Sequence, residues 1–204
     1  DWENFIPFEQ LPQQYNPASG QVVTANHKIT PPGYKHHITN EWFPPYRSDR
    51  INTLLTEKVP YSTSSFISMQ ADVKSLMVAD FKPLFDAITP DAGSREAYEL
   101  VKNWDGEMRA NEAAPLIFSA WYRELTRLVY ADELGDGLFK SAWDQRAVFL
   151  HSILKNSGGQ ARWCDNTATE KMEDCAQVMA QALRLVVADL NHRYSSNMQY
   201  WRWG

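Results

Sequence analysis

The sequence predicts a mainly α-helical protein: a bundle of about six helices preceded by an extended, proline-rich N-terminal arm. Seven prolines interrupt residues 1–47 too often for a helix of normal length, at positions 7, 12, 17, 31, 32, 44 and 45. From Ser48 onward, apolar residues recur at helical spacing between capping residues. With 204 residues, 44% of them hydrophobic, the chain is long enough to bury a core. We therefore predict an arm over residues 1–47, containing a short strand, and a helical domain over residues 48–204.

The strand of the arm is predicted around two β-branched residues, Val22 and Val23, which follow a turn signal at residues 16–20. We expect this strand to end near Asn26. An asparagine is easily accommodated at a strand end on the surface. Its neutral amide, with two N–H donors, is also the kind of group that stabilises a developing oxyanion. The residues alone leave both interpretations open.

The first helix is predicted to begin at Ser48-Asp49, which can cap it, and to end at Val59-Pro60. Arg50 would then lie in the first turn, where a positive charge is unfavourable against the helix dipole. This position indicates either a carboxylate partner or a functional role. The alternative is that Arg47 and Arg50 pair with Asp49 or Glu41 at the surface.

Three further helical segments are predicted before residue 105. A start signal at residues 62–65 precedes an apolar stripe that runs to Met77, and Pro83 breaks or kinks this run. A short helix then continues to a stop at Thr89-Pro90. The next helix opens at Ser94 and runs through Val101.

The longest and most apolar element is predicted from Glu112 to Leu134, with a turn at Gly135–Gly137 after it. Its aromatic residues could form a substrate box, but aromatics at helical spacing favour a core position; they are Phe118, Trp121, Tyr122 and Tyr130. A helix from Trp143 to Leu154 follows, with His151 at or near its surface. The last helix is predicted from Thr169 to His192, capped by residues 166–169, and residues 201–204 are predicted to be extended.

Several short motifs follow one another along nearly the whole chain. They are Asn16-Pro17, Gly20, Thr24-Ala25-Asn26, Pro45-Tyr46-Arg47, Asp49-Arg50-Ile51, Gln70-Ala71-Asp72, Ser75, Trp163-Cys164-Asp165, Glu173 and Trp201-Arg202-Trp203-Gly204. Taken in this order, they resemble the catalytic β-subunit of the penicillin acylase family of N-terminal-nucleophile amidohydrolases. The order of the motifs is more specific than any one of them.

This resemblance implies a larger α+β enzyme of αββα architecture that cleaves β-lactam side chains, acyl-homoserine lactones or related N-acyl compounds. It implies that Asn26 is the side-chain member of the oxyanion hole and that Arg50 supports the nucleophile and the substrate end of the site. Relatives use a Ser, in some cases Cys or Thr, as the first residue of the β-subunit. Because the sequence begins Asp1-Trp2-Glu3, we expect the nucleophile outside it and no activity from this chain alone.

The two cysteines, Cys164 and Cys175, are 11 positions apart, without a CxxC motif or a histidine at ligand spacing. The pattern therefore does not predict a zinc site. It leaves a disulfide and a pair of buried thiols equally open. An oxidising compartment would favour the disulfide. The resemblance points the same way, since many relatives are exported, and it implies a periplasmic or secreted parent protein.

Charge and composition exclude several other partners. The net charge is −5 and the charged residues are scattered, so no basic stripe indicates nucleic acid. The sequence contains no run of eighteen apolar residues, so we predict no membrane span. His36-His37 favours a solvated loop over a metal site, because adjacent side chains of an extended chain point to opposite sides. The resemblance implies calcium in the intact enzyme, which relatives hold through carboxylates near this region. Because Thr39-Asn40, at the equivalent place, lacks an aspartate and the other family ligands fall outside this sequence, we predict no cofactor or metal within these residues.

The sequence leads to two alternative hypotheses about the function of the chain. In the first, the chain is part of an amidohydrolase, and its partners are the remainder of the β-subunit, the α-subunit and a small N-acyl substrate. In the second, the chain is a non-catalytic helical interaction domain. The apolar residues of the arm would then form its partner surface; they are Trp2, Phe5, Ile6, Phe8 and Leu11.

Overall fold

The computed structural model describes residues 4–57, 60–142 and 146–204, and the side chains of Asp136 and Ala142 are also outside this description. The chain folds into two compact units, residues 1–72 and 73–204. Helices are the regular secondary structure among the described residues of both units and make up most of the second, which confirms the predicted mainly α class. Three residues named in the predictions lie outside the described residues: Trp2 of the arm, Val59 at the predicted end of the first helix, and Trp143 at a predicted helix start. No helix in the described part of the chain has the length and apolar character needed to cross a bilayer.

The first unit contains the arm and two helices, α1 (Tyr46–Glu57) and α2 (Thr63–Gln70), with a short 3-10 turn at Phe8–Gln10. α1 begins two residues before the predicted Ser48. The Ser48 hydroxyl, which is buried, donates to the carbonyl of Pro45 at 2.7 Å and so closes the turn at the start of the helix. α2 starts at the predicted signal, where Ser62 and Ser65 form a reciprocal capping box.

The short strand predicted around Val22 and Val23 is wrong for the described residues, which contain no β-strand. What forms instead is a single parallel bridge between His27 and Phe43. A strand needs a neighbour along its length to satisfy its backbone groups, and residues 21–24 have none in the described part of this unit. The arm therefore stays irregular, held by isolated contacts.

The second unit contains five α-helices among its described residues: α3 (Leu76–Phe85), α4 (Arg95–Asn103), α5 (Ala113–Ala142), α6 (Ala147–Leu154) and α7 (Cys175–Arg193). Two 3-10 segments, Ser157–Cys164 and Met198–Tyr200, connect and follow them. α5 lies at the centre and packs along α7 and against α4. The predicted α4 and the greater part of the predicted α5 are confirmed.

The core of this unit lies around Trp121 of α5, which is 0% exposed. The indole stacks on Phe85 at a centroid distance of 4.0 Å, and its Nε1 donates to the carbonyl of Met179 on α7 at 2.8 Å. Phe118, Tyr122 and Tyr130 are also buried. The prediction that these aromatics are core residues is therefore confirmed.

The predicted helix through Met77 is wrong, because the chain is not helical between α2 and α3. Val73 and Ser75 pair instead with a distant backbone segment: Met108 N donates to Val73 O, and Ser75 N donates to Gly106 O, both at 2.9 Å. Gly106 has φ +86, and a Cβ there would lie 3.4 Å from the carbonyl oxygen of Ser75. This pairing uses backbone groups that a continuous helix would need.

Pro83 lies inside α3 and does not break it, contrary to the prediction. Proline there removes one helical hydrogen bond, to the carbonyl of Ala79, and both residues are on the exposed side of the helix. Water can therefore satisfy that carbonyl.

The turn predicted at Gly135–Gly137 does not end α5. Gly135 has φ 67 and ψ 162, and it kinks α5, which resumes and ends at Ala142.

The last helix starts six residues later than predicted, at Cys175. Asp174 caps it through Gln177 N at 2.8 Å in a reciprocal capping box, whereas the predicted cap at residues 166–169 forms turns in the preceding loop. At the chain end, residues 201–204 are non-helical. Trp201 is fully buried, with its Nε1 donating to Ser195 O at 2.8 Å.

Candidate functional site

Asn26 lies at a sharp turn of the arm, in the left-handed backbone region with φ 61. Asparagine is one of the few non-glycine residues that adopt this conformation readily. The turn is held from both sides, because Ala25 is buried and Phe43 N donates to Asn26 O at 3.0 Å. The side chain itself is exposed. The local sequence thus presents an amide group to the surface from a fixed backbone.

Arg47 fixes the orientation of that amide. Its Nη2 donates to Asn26 Oδ1 at 3.0 Å and to the carbonyl of Ala25 at 2.8 Å. A guanidinium group has donors and no acceptor, so the oxygen of the amide must face Arg47. The Nδ2 of Asn26 therefore points away from the arginine, with its N–H groups directed outward. An amide held in this way can donate to a group outside the arm.

The start of α1 places Arg47 for this contact. Pro45 precedes the helix, and its carbonyl accepts from Asp49 N at 2.9 Å as well as from the Ser48 hydroxyl. Arg47 then lies in the first helical turn, next to the arm. Its Cζ is 5.6 Å from the centroid of the Phe43 ring, within the range of a cation–π contact.

Arg50 makes a different contact. Its Nε and Nη2 donate to the two carboxylate oxygens of Asp72 at 2.9 and 2.7 Å. Both side chains are mostly buried, at 24% and 18% exposure. The expected carboxylate partner of Arg50 therefore exists, but it is Asp72 and not Asp49 or Glu41. Two parallel charge-assisted bonds hold the guanidinium in one orientation.

The structure brings Asn26 together with Arg47, which the sequence analysis named in a motif and as a surface ion-pair partner but did not assign to the site. The roles predicted for Asn26 and Arg50 stay predictions. The signal that could have identified Arg47 is its place two residues after Pro45, because a proline at the start of a helix helps to fix where the side chains of the first turn point. The separation of 21 residues from Asn26 gave no local cue.

A cavity of about 490 Å³ opens beside the Asn26 turn. Thr24 and His27, which flank that turn, both line it, and His27 Nδ1 is buried there with no hydrogen bond to the described residues. The other lining residues are Pro12, Gln13, Gln14, Val22, Val23, Lys28 and Ile29. Five of these nine lining residues are polar and four are apolar, so the cavity is more polar than most small-molecule sites.

The described residues do not fit a metal. They contain no group of three or more His, Cys, Asp or Glu side chains that could hold an ion. His36 instead contacts Gln10 through Nε2 at 2.7 Å, and His37 is exposed. Thr39, at the place considered for calcium, accepts from Glu41 N through its hydroxyl at 3.0 Å. No step of a reaction is therefore assigned to a metal held by these residues.

Cys164 and Cys175 form a disulfide, with their Cα atoms 5.0 Å apart. The loop that it closes is also held by carboxylates. Asp165 Oδ1 accepts from Glu173 N at 3.0 Å, and Glu173 Oε2 accepts from Asn166 N at 3.2 Å. These contacts give Asp165 and Glu173 a structural role in the loop that the disulfide closes.

A family model described as penicillin amidase matches residues 1–204. The chain is 31% identical over 225 residues to the acyl-homoserine lactone acylase QuiP of Pseudomonas aeruginosa, covering 100% of this chain and 26% of that protein. The corresponding protein of Pseudomonas fluorescens strain Pf-5 is 25% identical, with 28% of its length covered. The penicillin acylase 2 proenzyme of Pseudomonas sp. strain SE83 is 31% identical over 134 residues, or 64% of this chain and 17% of that protein. The chain thus spans about a quarter of the length of the acylases that it matches from end to end.

Proposed function

The chain belongs to the penicillin amidase family, and from that premise we propose that it is part of a hydrolase that cleaves the amide bond of N-acyl compounds. Within such an enzyme, the chain supplies the side-chain oxyanion donor, Asn26. The observation that supports this assignment is the contact of Arg47 Nη2 with Asn26 Oδ1 at 3.0 Å. It leaves the amide nitrogen as the outward-facing donor.

The proposed reaction is an acyl transfer to an N-terminal serine, which polypeptide outside this sequence supplies. Its hydroxyl oxygen attacks the amide carbonyl carbon, and its own α-amino group accepts the proton. The negative charge that develops on the carbonyl oxygen is stabilised by Asn26 Nδ2–H together with donors outside this sequence. The C–N bond of the tetrahedral intermediate then breaks, and the leaving amine takes the proton from the α-ammonium group. Water next attacks the acyl-enzyme, gives a proton to the α-amino group, and releases the carboxylic acid and the serine hydroxyl, to which that proton returns. Turnover thus requires parts that this chain alone does not supply.

Arg50 keeps its proposed role in supporting the nucleophile and the substrate end of the site. Its bidentate pairing with Asp72 supports a fixed orientation of the guanidinium. The pairing also neutralises much of its charge, so its effect on a reacting group would be positional more than electrostatic. Arg47 is proposed as the arginine that orients Asn26 directly.

The substrate class is proposed from the relatives, whose names describe acylases of acyl-homoserine lactones and of penicillin. Both kinds of substrate contain an N-acyl amide attached to a small lactone or lactam. Asn26 would contact the carbonyl oxygen that they share. The acyl group and the ring would be recognised by other residues, partly outside this sequence.

The proposed partners are the remainder of the β-subunit and the α-subunit of the processed enzyme. The exposed aromatic residues of the arm support this proposal, because Phe5 is 90% and Tyr15 97% exposed. Large apolar side chains so exposed mark a surface that another part of a protein covers.

The Cys164–Cys175 disulfide supports a periplasmic or secreted location, since such bonds persist in oxidising compartments.

The test is Asn26→Asp in the full-length protein. Aspartate tolerates the left-handed backbone and can still accept from Arg47, but its carboxylate has no N–H to donate. We expect normal folding and processing, with kcat lower by on the order of 10²–10³. The matched control is Asn16→Asp, which makes the same change at another exposed asparagine with positive φ, 42, in the same arm.

Wild-type turnover in a folded and processed Asn26→Asp enzyme would remove Asn26 from the reaction and leave the non-catalytic interaction domain as the better description. An equal loss in the Asn16→Asp control would show instead that a negative charge anywhere on the arm is harmful. The expected pattern is a large loss in the first variant and none in the second.

A further inference from the structure

We propose that Phe43 is a positioning residue for the oxyanion donor, which it holds in place through both its backbone and its ring. The inference rests on the proposed function, since it concerns the orientation of Asn26. Phe43 is 60% exposed, so it does not serve as a core residue of the first unit. Its position is explained by what it contacts.

The backbone of Phe43 fixes the turn that carries the amide. Phe43 N donates to Asn26 O at 3.0 Å, and Phe43 forms the parallel bridge with His27. This bridge is the only pairing of strand type among the described residues of the first unit. The left-handed conformation of Asn26 is therefore held by Phe43 on its carbonyl side.

The ring of Phe43 holds the arginine that fixes the amide. Arg47 Cζ lies 5.6 Å from the ring centroid, where the negative face of the ring attracts the guanidinium. Arg47 is exposed, and a long exposed side chain otherwise samples many rotamers. The ring and two acceptor oxygens, Ala25 O and Asn26 Oδ1, together restrict it to one arrangement.

This arrangement predicts that aromatic character matters at position 43, and not only apolar volume. A leucine or methionine would preserve the backbone bond from residue 43 and much of the apolar surface, but neither has a π face for the guanidinium. Tyrosine and tryptophan keep that face. The effect should reach the reaction only through Arg47, because no contact with the reacting groups is assigned to the Phe43 ring.

The experiment uses Phe43→Leu, Phe43→Met, Phe43→Tyr and Phe43→Trp in the full-length protein. We expect kcat to fall about two- to fivefold in the leucine and methionine variants, with KM unchanged, and to stay near wild type in the tyrosine and tryptophan variants. The matched control is Phe66→Leu. Phe66 is also an exposed phenylalanine of the first unit, 45% exposed, but its ring contacts Tyr61 and no arginine in the described structure.

A double-mutant cycle tests the route of the effect. In an Arg47→Gln background, Phe43→Leu should cause no further loss of kcat, because the cation is already gone. Wild-type kcat in both the leucine and methionine variants would overturn the inference, as would equal losses in the aromatic variants or an undiminished loss in the Arg47→Gln background. If the leucine variant fails to fold, the methionine variant decides.

These outcomes are separable from a failure of the proposed function. If Asn26→Asp abolishes turnover while Phe43→Leu and Phe43→Met are silent, Asn26 keeps its role and the inference about Phe43 alone is wrong. If Asn26→Asp leaves turnover unchanged, the proposed function fails, and the inference fails with it.

Discussion

Arg47 binds both the side chain and the backbone of the turn that presents Asn26: its Nη2 lies 3.0 Å from Asn26 Oδ1 and 2.8 Å from the preceding carbonyl, that of Ala25. A single planar group thus couples the first turn of α1 to a loop residue 21 positions earlier. The coupling determines which end of the Asn26 amide faces outward. Substitutions of Arg47 should therefore change the orientation of the Asn26 amide more than they change the stability of the fold.

Arg47→Lys keeps the charge but loses the planar group that reaches two acceptors and rests on an aromatic ring. We expect kcat of the full-length enzyme to fall about tenfold, as loss of one charge-assisted hydrogen bond would cause, with little change in the thermal unfolding midpoint. Steady-state kinetics and thermal unfolding measure the two effects. Arg95→Lys is the control, because Arg95 also lies at a helix start and donates to a backbone carbonyl, that of Pro90 at 3.3 Å. Wild-type kcat in Arg47→Lys would contradict the orienting role.

The Arg50–Asp72 pair should contribute more to stability than to turnover. Its bonds of 2.9 and 2.7 Å are largely shielded from water, so removing one partner leaves the other charge poorly solvated. We expect Arg50→Gln and Asp72→Asn each to lower the free energy of unfolding by about 1–3 kcal/mol. The double variant should lose less than the sum, and denaturant unfolding of all four proteins measures this coupling.

Turnover in the same variants decides the role of Arg50. Per folded molecule, it should fall less in Arg50→Gln than in Arg47→Lys, because Arg47 bonds directly to the Asn26 side chain, whereas the bidentate pair of Arg50 is with Asp72. A stable Arg50→Gln enzyme that loses as much turnover as Asn26→Asp would instead assign direct support of the reaction to Arg50.

Local chemistry made part of this structure predictable from sequence. Ser62 and Ser65 are close enough in sequence to cap each other, and they do so at the start of α2. The apolar period of α5 predicted a core helix, and Trp121 is fully buried. Arg50 has the carboxylate partner that the sequence indicated, but not for the predicted reason, because α1 begins at Tyr46 and Arg50 therefore lies beyond its first turn. Helical periodicity and capping depend on residues within a few positions of one another, so the sequence displays them directly.

What the sequence did not display depends on distant segments. The break between α2 and α3 exists because Val73 and Ser75 pair with the backbone of residues 106–108. Nothing near Val73 indicates that partner. Arg47 and Asn26 meet across 21 residues, and neither forms part of a periodic pattern. The start of α7 at Asp174 competed with an equally good capping sequence at residues 166–169, and local rules could not choose between them.

Removing the Cys164–Cys175 disulfide should destabilise the second unit. The bond closes a loop of 11 positions, and restricting such a loop in the unfolded chain contributes about 2–3 kcal/mol. We expect the free energy of unfolding of the Cys164→Ser/Cys175→Ser variant to be lower by this amount, so that the variant unfolds at a lower denaturant concentration. Reductant should lower the stability of the wild type to the same level and leave the double variant unchanged. Equal stability of wild type and variant without reductant would show that the carboxylate contacts of the loop suffice.

Asp91 should make the second unit sensitive to acid. Its carboxylate accepts from the Ser94 hydroxyl at 2.7 Å and from Ser94 N at 2.8 Å, just before α4. The hydrogen bond from the Ser94 side chain, followed by that from its backbone, lowers the pKa of Asp91 below its ordinary value of 3.8. Because the folded-state pKa is lower than the unfolded one, this stabilisation is present above about pH 4 and is lost as the pH falls through the folded-state value.

Asp91→Asn should therefore weaken the pH dependence of stability at the acid end. We expect the wild type to be the more stable protein at pH 6, and the difference to shrink steadily below pH 4, as urea unfolding midpoints between pH 2.5 and 6 would measure. Asp80→Asn is the matched control, because Asp80 is an exposed aspartate of α3 whose carboxylate makes no hydrogen bond in the described structure. A difference between wild type and Asp91→Asn that stays constant across the pH range would show that the Ser94 contacts do not distinguish the charged carboxylate from the neutral one.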